Sequence, residues 1–307
     1  MALECALSRF TAQLLHRPPG GVVDVVRHLL AVQAQEVSAF PLAVRVRSNG
    51  LCAADVAVAR ERREIVRCWG PRGTLHLIAV DDLPWLYPLV VSSPAGSRRR
   101  LRQLGVDPEL DAAKVLSGRG PVTKAELGAL LGVDGQAIVH AAGLAAARGL
   151  VVLGPERAGK ATYVHAGDWL GAPLPTSSSD RDGAVRTLVA RYRAAHDPSE
   201  PADLALWSGV PLTEIRRAWG QESTVEDEPG GGVRLLPAYD EFLLGWRSRV
   251  AGYRSAGGVI RSAVLVDGRV VGTWRAGGEV EAFEPLSDVV LAGIDGEVAD
   301  IARFRRG

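Results

Sequence analysis

The 307-residue sequence predicts a mixed α/β protein, mostly helical, in which helix–turn–helix–hairpin units recur ahead of a β-rich C-terminal region. Three observations carry this reading. Residues 121–165 spell helix, turn, helix and hairpin in that order; an echo of the pattern begins at Asp203; and the hydrophobic period switches from helix-like to strand-like after Gly232.

The elements follow in order. Leu3, Leu7, Phe10, Leu14 and Leu15 lie near helical spacing over residues 3–16, and Pro18-Pro19-Gly20-Gly21 ends that helix. Val22 to Val32 reads as a second helix, followed by Gln33-Ala34-Gln35. Short helices over Ala39–Val46 and Ala53–Arg60 lead to two strands, Ile65–Trp69 and Thr74–Ile78, joined by the turn Gly70-Pro71-Arg72-Gly73. An apolar helix containing Trp85 and Leu86 comes next, then an arginine-rich helix over Arg98–Leu104. Thr123-Lys124-Ala125-Glu126 has the form of a capping box, in which hydroxyl and carboxylate satisfy each other's orphan amides. Gly132-Val133 turns the chain into a helix over Gln136–Arg148, and strands at 150–153 and 161–164 complete a winged helix.

The segment Glu126–Val133 aligns with Asp203–Val210: an acid at the helix start, apolar spacing and Gly-Val at the turn are kept, and Ile138 then meets Ile215. The first region fits more loosely, with Gln33 and Gln35 at the turn and entry of the following helix. The expected organisation is three tandem winged-helix units, at 1–81, 82–175 and 181–236, with residues 176–180 as linker. A β-barrel-like domain at 237–307 follows. The C-terminal region as a whole reads as strands over Arg234–Leu236, Val259–Val266, Arg269–Arg275 and Glu279–Phe283. Asp267-Gly268 forms a hairpin turn, and Val289–Phe304 forms a closing helix.

Composition narrows the class. A hydrophobic fraction of 47% with 23% charged residues is that of a soluble globular protein. The start lacks a secretory signal. Cys5, Cys52 and Cys68 form neither a disulfide framework nor a zinc pattern, which fits a cytoplasmic protein. Net charge is only +1, so DNA binding would depend on a basic face, as arginines 60, 62, 63, 67, 72, 98–100 and 102 allow. No nucleophile elbow, phosphate loop or dinucleotide fingerprint is present, and the histidines show no metal-ligand spacing. Asp240-Glu241 could be an acid pair, of which at most one would reach a given site if both lay on a strand. Two glutamines two residues apart at the end of an apolar run are unusual. Spacing alone leaves two readings open: the polar end of a helix, or two amides aimed at a ligand.

Several stretches together resemble a known family. Val32-Gln33-Ala34-Gln35, Arg72–Leu77, Leu236–Phe242 and Val266–Arg275 look like the AlkZ-like DNA glycosylases, over nearly the whole chain and in order. The resemblance implies tandem winged helices with a C-terminal β-barrel. It also implies excision of alkylated purines, including bulky N7-alkylguanines and interstrand crosslinks from genotoxic natural products. One branch carries aspartate at the second position of the motif. Gln35 places this chain nearer the branch associated with self-resistance in antibiotic producers.

On this likeness Gln33 and Gln35 are the expected catalytic residues of a monofunctional N-glycosylase acting as a monomer on double-stranded DNA, with no cofactor and no metal. N7 alkylation makes guanine a cationic leaving group, so amide carbonyls that hold a water, with fixed dipoles, would suffice. Arg45, Arg47, Arg72, His76, Arg247, Arg249, Arg261 and Arg275 are the expected DNA contacts, since guanidinium binds phosphate bidentately. Trp69, Trp207, Trp246 and Trp274 are expected in the core. Two rival readings are a winged-helix transcriptional regulator, which would need a dimer with half-site spacing, and a protein that shields lesions without cutting.

Overall fold

The computed structural model describes residues 2–91, 93–220, 231–247 and 259–307. Helices Ala2–Ala12 and Val22–His28 open the chain. The apolar run from Val22 does not continue as helix to Val32. Leu30 turns into the left-handed region at φ 68°, and strand β1, Val32–Gln33, begins two residues later. Short apolar runs do not by themselves separate helix from strand. Here cross-strand pairing with a more distant segment decides. Helices Phe40–Arg45 and Ala53–Glu61 precede strands β2, Ile65–Trp69, and β3, Leu75–Ala79. β1 runs antiparallel to β3 with Val32 opposite Leu77 and Gln33 opposite His76.

The middle segment contains helices Leu83–Val90, Ala95–Gln103 and Ala112–Leu116, then strand β4, Val122–Thr123. Its helix–turn–helix is Lys124–Leu131 and Gly135–Ala147, bent by 86° at the break. The expected capping box is made: Thr123 N–H donates to Glu126 Oε2 at 2.7 Å, and Glu126 N–H to Thr123 Oγ1 at 3.4 Å. Strands β5, Val151–Arg157, and β6, Lys160–His165, form the hairpin that follows. Arg67 of β2 sits opposite Leu153 of β5, so the two hairpins merge into one six-stranded antiparallel sheet ordered β1-β3-β2-β5-β6-β4.

Helices Arg181–His196, Pro201–Ser208 and Leu212–Ala218 come next. The two aligned turns are built alike. Gly132 and Gly209 cap their helices in the left-handed conformation at φ 67° and 80°, and Ile138 and Ile215 are both buried. In the C-terminal region, strands β7, Val233–Leu236, β8, Ala263–Val266, β9, Arg269–Trp274, and β10, Val280–Ala282, form an open antiparallel sheet in the order β10-β9-β8-β7. No barrel closes among the described residues. The Asp267-Gly268 turn has φ 49° and 76°, the positive values a two-residue type I′ hairpin requires. Helix Asp288–Arg306 lies over β7 and accepts the Leu235 N–H on Glu297 Oε2 at 3.1 Å. Among the described residues no single helix is long and apolar enough to cross a membrane.

Two apolar cores meet at β1. Leu30 and Ala31 pack with Ile78, Tyr87, Tyr192 and Trp207, whereas Val32 and Ala34 pack with Leu77, Leu235, Val264 and Phe304. A two-residue strand thus sits where the N-terminal, third and C-terminal segments converge.

Candidate active site

Gln33 is held from several sides. Only 7% of its surface is exposed. Its main-chain N–H donates to Glu241 Oε1 at 2.9 Å, and its side-chain Oε1 accepts from Arg72 Nη2 at 3.2 Å. Arg72 Nη1 also donates to the Trp207 carbonyl at 2.9 Å, and Trp207 Nε1–H donates to Glu241 Oε2 at 2.9 Å. These four bonds form a closed ring, Gln33–Glu241–Trp207–Arg72–Gln33. Arg72 reaches both acceptors from the left-handed conformation, φ 59° and ψ 15°, inside the tight turn Pro71–Gly73. Such a conformation is unfavourable for a residue with a Cβ and persists only where its surroundings hold it.

Gln35, two residues on, is exposed. Its Oε1 accepts the Leu75 N–H at 3.2 Å. Arg67 fastens the backbone between the two amides, with Nε donating to the Ala34 carbonyl at 2.8 Å and Nη2 to the Gln35 carbonyl at 3.3 Å. Arginine and a main-chain N–H are donors only, so each can meet an amide only at its oxygen. Both glutamines therefore turn the carbonyl toward the protein, and neither Nε2 has a partner among the described residues. A cation on the oxygen also draws electron density from the amide, strengthening its N–H donors and weakening the oxygen as an acceptor. Neither glutamine lies on a helix or at a helix–turn–helix junction, as the looser alignment had it.

His76 stands beside Gln33 in the register and is fully buried. Its Nδ1 lies 3.0 Å from the Thr74 carbonyl, an acceptor, so Nδ1 carries the proton and Nε2 is a buried acceptor without a partner. Burial first, and the Arg72 charge second, push its pKa down to about 3, so the ring is neutral at pH 7. A neutral, enclosed imidazole is not a phosphate contact, contrary to expectation. Burial pushes the Glu241 carboxyl up from its ordinary range, and Arg72, the Trp207 indole and the Gln33 N–H oppose that shift. With both oxygens engaged and no exposed surface, Glu241 is not placed to take a proton from a water on the substrate.

The other expected contacts divide. Arg45 and Arg47 are buried and already paired, so they cannot reach phosphate. Arg45 bonds Glu297 at 2.7 Å and Asp300 at 3.0 Å, and Arg47 grips both Asp240 oxygens at 2.7 and 2.8 Å. Asp240 is spent on Arg47 and on capping the helix Glu241–Leu244, to whose Phe242 N–H it accepts at 2.9 Å. The acid pair therefore straddles a helix start, not a strand. Arg247 is half exposed and bonded to Glu200 at 2.9 Å, and Arg261 is bonded to Glu281 at 2.7 Å. Arg275 is exposed at the end of β9. Arg249 lies outside the described residues. A surface groove of about 800 Å³ lies between Arg100 and the turn Gly132–Gly135, and none of its lining residues belongs to the glutamine site.

Trp207 was expected only as core. It is buried, but its indole N–H closes the ring. No local pattern distinguishes a tryptophan that packs from one that also donates to a site. Glu241 lay within a motif already singled out, yet its partners are 208 and 34 residues away.

Known proteins resemble this chain along nearly its full length. A family profile described as DNA glycosylase AlkZ-like matches residues 26–304. An interstrand DNA cross-link repair glycosylase of Streptomyces sahachiroi is 26% identical over 343 aligned positions, covering 91% of this chain and 90% of that protein. The solved structure of the Streptomyces sahachiroi DNA glycosylase AlkZ superposes with a TM-score of 0.77 at 25% identity, covering 99% of this chain and 96% of that one. With the family profile spanning all but the first 25 and last three residues, this chain belongs to the AlkZ-like DNA glycosylase family.

Proposed function

We propose that the protein is a monofunctional DNA N-glycosylase that hydrolyses the N-glycosidic bond of N7-alkylated purines. Its substrates include bulky adducts and interstrand crosslinks, and its role is DNA repair or self-resistance to a genotoxic natural product. The observation that carries the reading is the pair of glutamine amides, each bonded to the protein through its oxygen and with no partner for its NH2 among the described residues. Two fixed donors of this kind can hold acceptor atoms of the departing purine or the sugar–phosphate backbone. The exposed Gln35 carbonyl keeps one lone pair for a water near C1′. An N7-alkylated base is already cationic and leaves readily. Positioning and dipoles then supply the catalysis, on the order of 2–4 kcal/mol for each oriented group, without proton abstraction by a carboxylate. The helix–turn–helix–hairpin order of the middle segment supports a winged-helix reading, with Arg72 near the glutamines and Arg247, Arg261 and Arg275 on the C-terminal side as contacts to one duplex bound by a monomer. The relatives named above support repair of crosslinks as the biological setting.

The test is to incubate the protein with duplex DNA carrying N7-methylguanine, with a bulky N7 adduct, and with unmodified duplex, scoring abasic sites and binding together. Base release from the alkylated duplexes is expected, and the Gln33→Ala/Gln35→Ala double variant should lose it. Absence of release, or a double variant equal to wild type, sinks the reading. Tight lesion binding without product would indicate a shield, and sequence preference on undamaged DNA a regulator.

A further inference from the structure

Glu241 is a carboxylate with no exposed surface whose side-chain hydrogen-bond partners among the described residues, Gln33 and Trp207, both belong to the candidate site. A buried charge is costly, and an apolar residue of similar size usually serves packing at least as well. The neighbouring Asp240–Arg47 pair shows the structural alternative, in which one carboxylate meets one guanidinium face to face. Glu241 instead spends its two oxygens on two neutral N–H donors from different segments, the Gln33 main chain and the Trp207 indole. The guanidinium of Arg72 bridges those same two residues from the other side. The approach to three of the four ring members passes through a left-handed residue other than glycine: Leu30 ahead of Gln33, Arg72 itself, and Tyr239 ahead of Glu241. Unfavourable backbone gathered around one ring indicates that the ring's geometry is what the surrounding fold maintains.

We propose that Glu241 is a positioning residue for base excision. By fixing the Gln33 main chain and Trp207 together, it seats Arg72 on the Gln33 carbonyl and so turns the Gln33 NH2 toward the nucleic acid. Glu241 touches no substrate and acts through Gln33. This rests on the glycosylase reading above.

Glu241→Gln keeps the size but presents an NH2 to one of the two donors, which opens the ring. Single-turnover excision of N7-methylguanine from duplex DNA is measured beside the DNA Kd in wild type, Glu241→Gln, Gln33→Ala and the double variant. Long incubations resolve the slow residual rates. Glu241→Gln is expected to slow excision by about tenfold or more with Kd changed less than about twofold. It should add nothing in the Gln33→Ala background, where no amide remains to be oriented. An equal loss in both backgrounds, or no loss in either, overturns the proposal.

If Glu241→Gln does not fold, Trp207→Phe removes the indole N–H together with part of the buried ring and reads the same cycle. A second measurement is independent of activity: the NMR signals of the Gln33 main-chain amide and the Trp207 indole N–H should both shift in the Glu241→Gln variant, and the Gln33 amide signal should shift in Trp207→Phe. Unchanged signals overturn the ring itself. Wild-type protein that releases no base while its NMR signals respond as expected would overturn the glycosylase reading and confine Glu241 to holding the amide.

Discussion

Burial changes what an arginine can do. Arg45 and Arg47 sit close in sequence to the glutamines, and sequence proximity made them natural phosphate ligands. In the fold their guanidinium groups are enclosed, and their charge is needed by Glu297, Asp300 and Asp240. Removing one partner of such a pair strands the other charge in a low-dielectric interior. Arg47→Met should therefore destabilise the protein by about 3–5 kcal/mol in urea denaturation. Under conditions where the variant is folded, the salt dependence of DNA binding should be unchanged. A phosphate ligand would behave in the opposite way, with little stability loss and a salt slope reduced by about one. Arg275→Ala, at an exposed arginine, is expected to show that second pattern. Arg72 differs from both groups, because its planar fork serves two acceptors at once. Arg72→Lys preserves the charge but not the fork, and excision should fall by about tenfold or more in single-turnover assays.

At the scale of elements, local rules read well wherever the deciding contacts are local. The Thr123–Glu126 capping box, the Asp267-Gly268 hairpin and the two Gly-Val turns all formed as their residues demand. Gly209 and Gly268 both have positive φ, but their surroundings differ. A Cβ on Gly209 meets nothing within 4 Å, so Gly209→Ala should cost only the backbone term, about 1–2 kcal/mol in a thermal or urea melt. A Cβ on Gly268 would collide with the Ala6 carbonyl, so Gly268→Ala should cost clearly more. Equal losses at the two sites would contradict this account. The segment around the glutamines was less legible. An apolar run of valines and leucines suits a helix or a buried strand. The switch at Leu30 depends on β3, more than forty residues downstream, which no local window contains.

At the scale of the molecule, the parts expected as separate units share sheets and cores. The Arg67–Leu153 pairing joins two hairpins into one sheet, and the C-terminal strands remain an open sheet beneath the last helix. Register between distant strands is set by tertiary packing, so neither outcome could be read from periodicity. The glutamine pair itself was legible, because an amide repeated beside an apolar run is conspicuous. Its supports were not, because Glu241, Trp207 and Arg72 come together only when the chain is folded.

The folded interior also sets a response to acid. His76 and His196 are fully enclosed, and burial pushes each from 6.5 to about 3. Between those values the unfolded chain binds the protons that the folded chain refuses, so lowering the pH favours unfolding. Stability should be flat above about pH 7 and fall below pH 6.5, with a slope approaching about 2.7 kcal/mol per pH unit for two groups. Thermal melts from pH 7.5 to 5 check this, and a Tm independent of pH would refute it.

The ring around Gln33 also has a timetable. Glu241 follows Gln33 by 208 residues, an interval of roughly 10–40 s at ordinary rates of protein synthesis. For most of that interval the glutamine is already outside the ribosome, but the carboxylate that seats it does not yet exist. A prematurely terminated chain ending before Glu241 would carry both motif glutamines and lack the acceptor for the Gln33 main chain. The centre is thereby tied to the completeness of the polypeptide, and a partial product cannot assemble the ring on DNA.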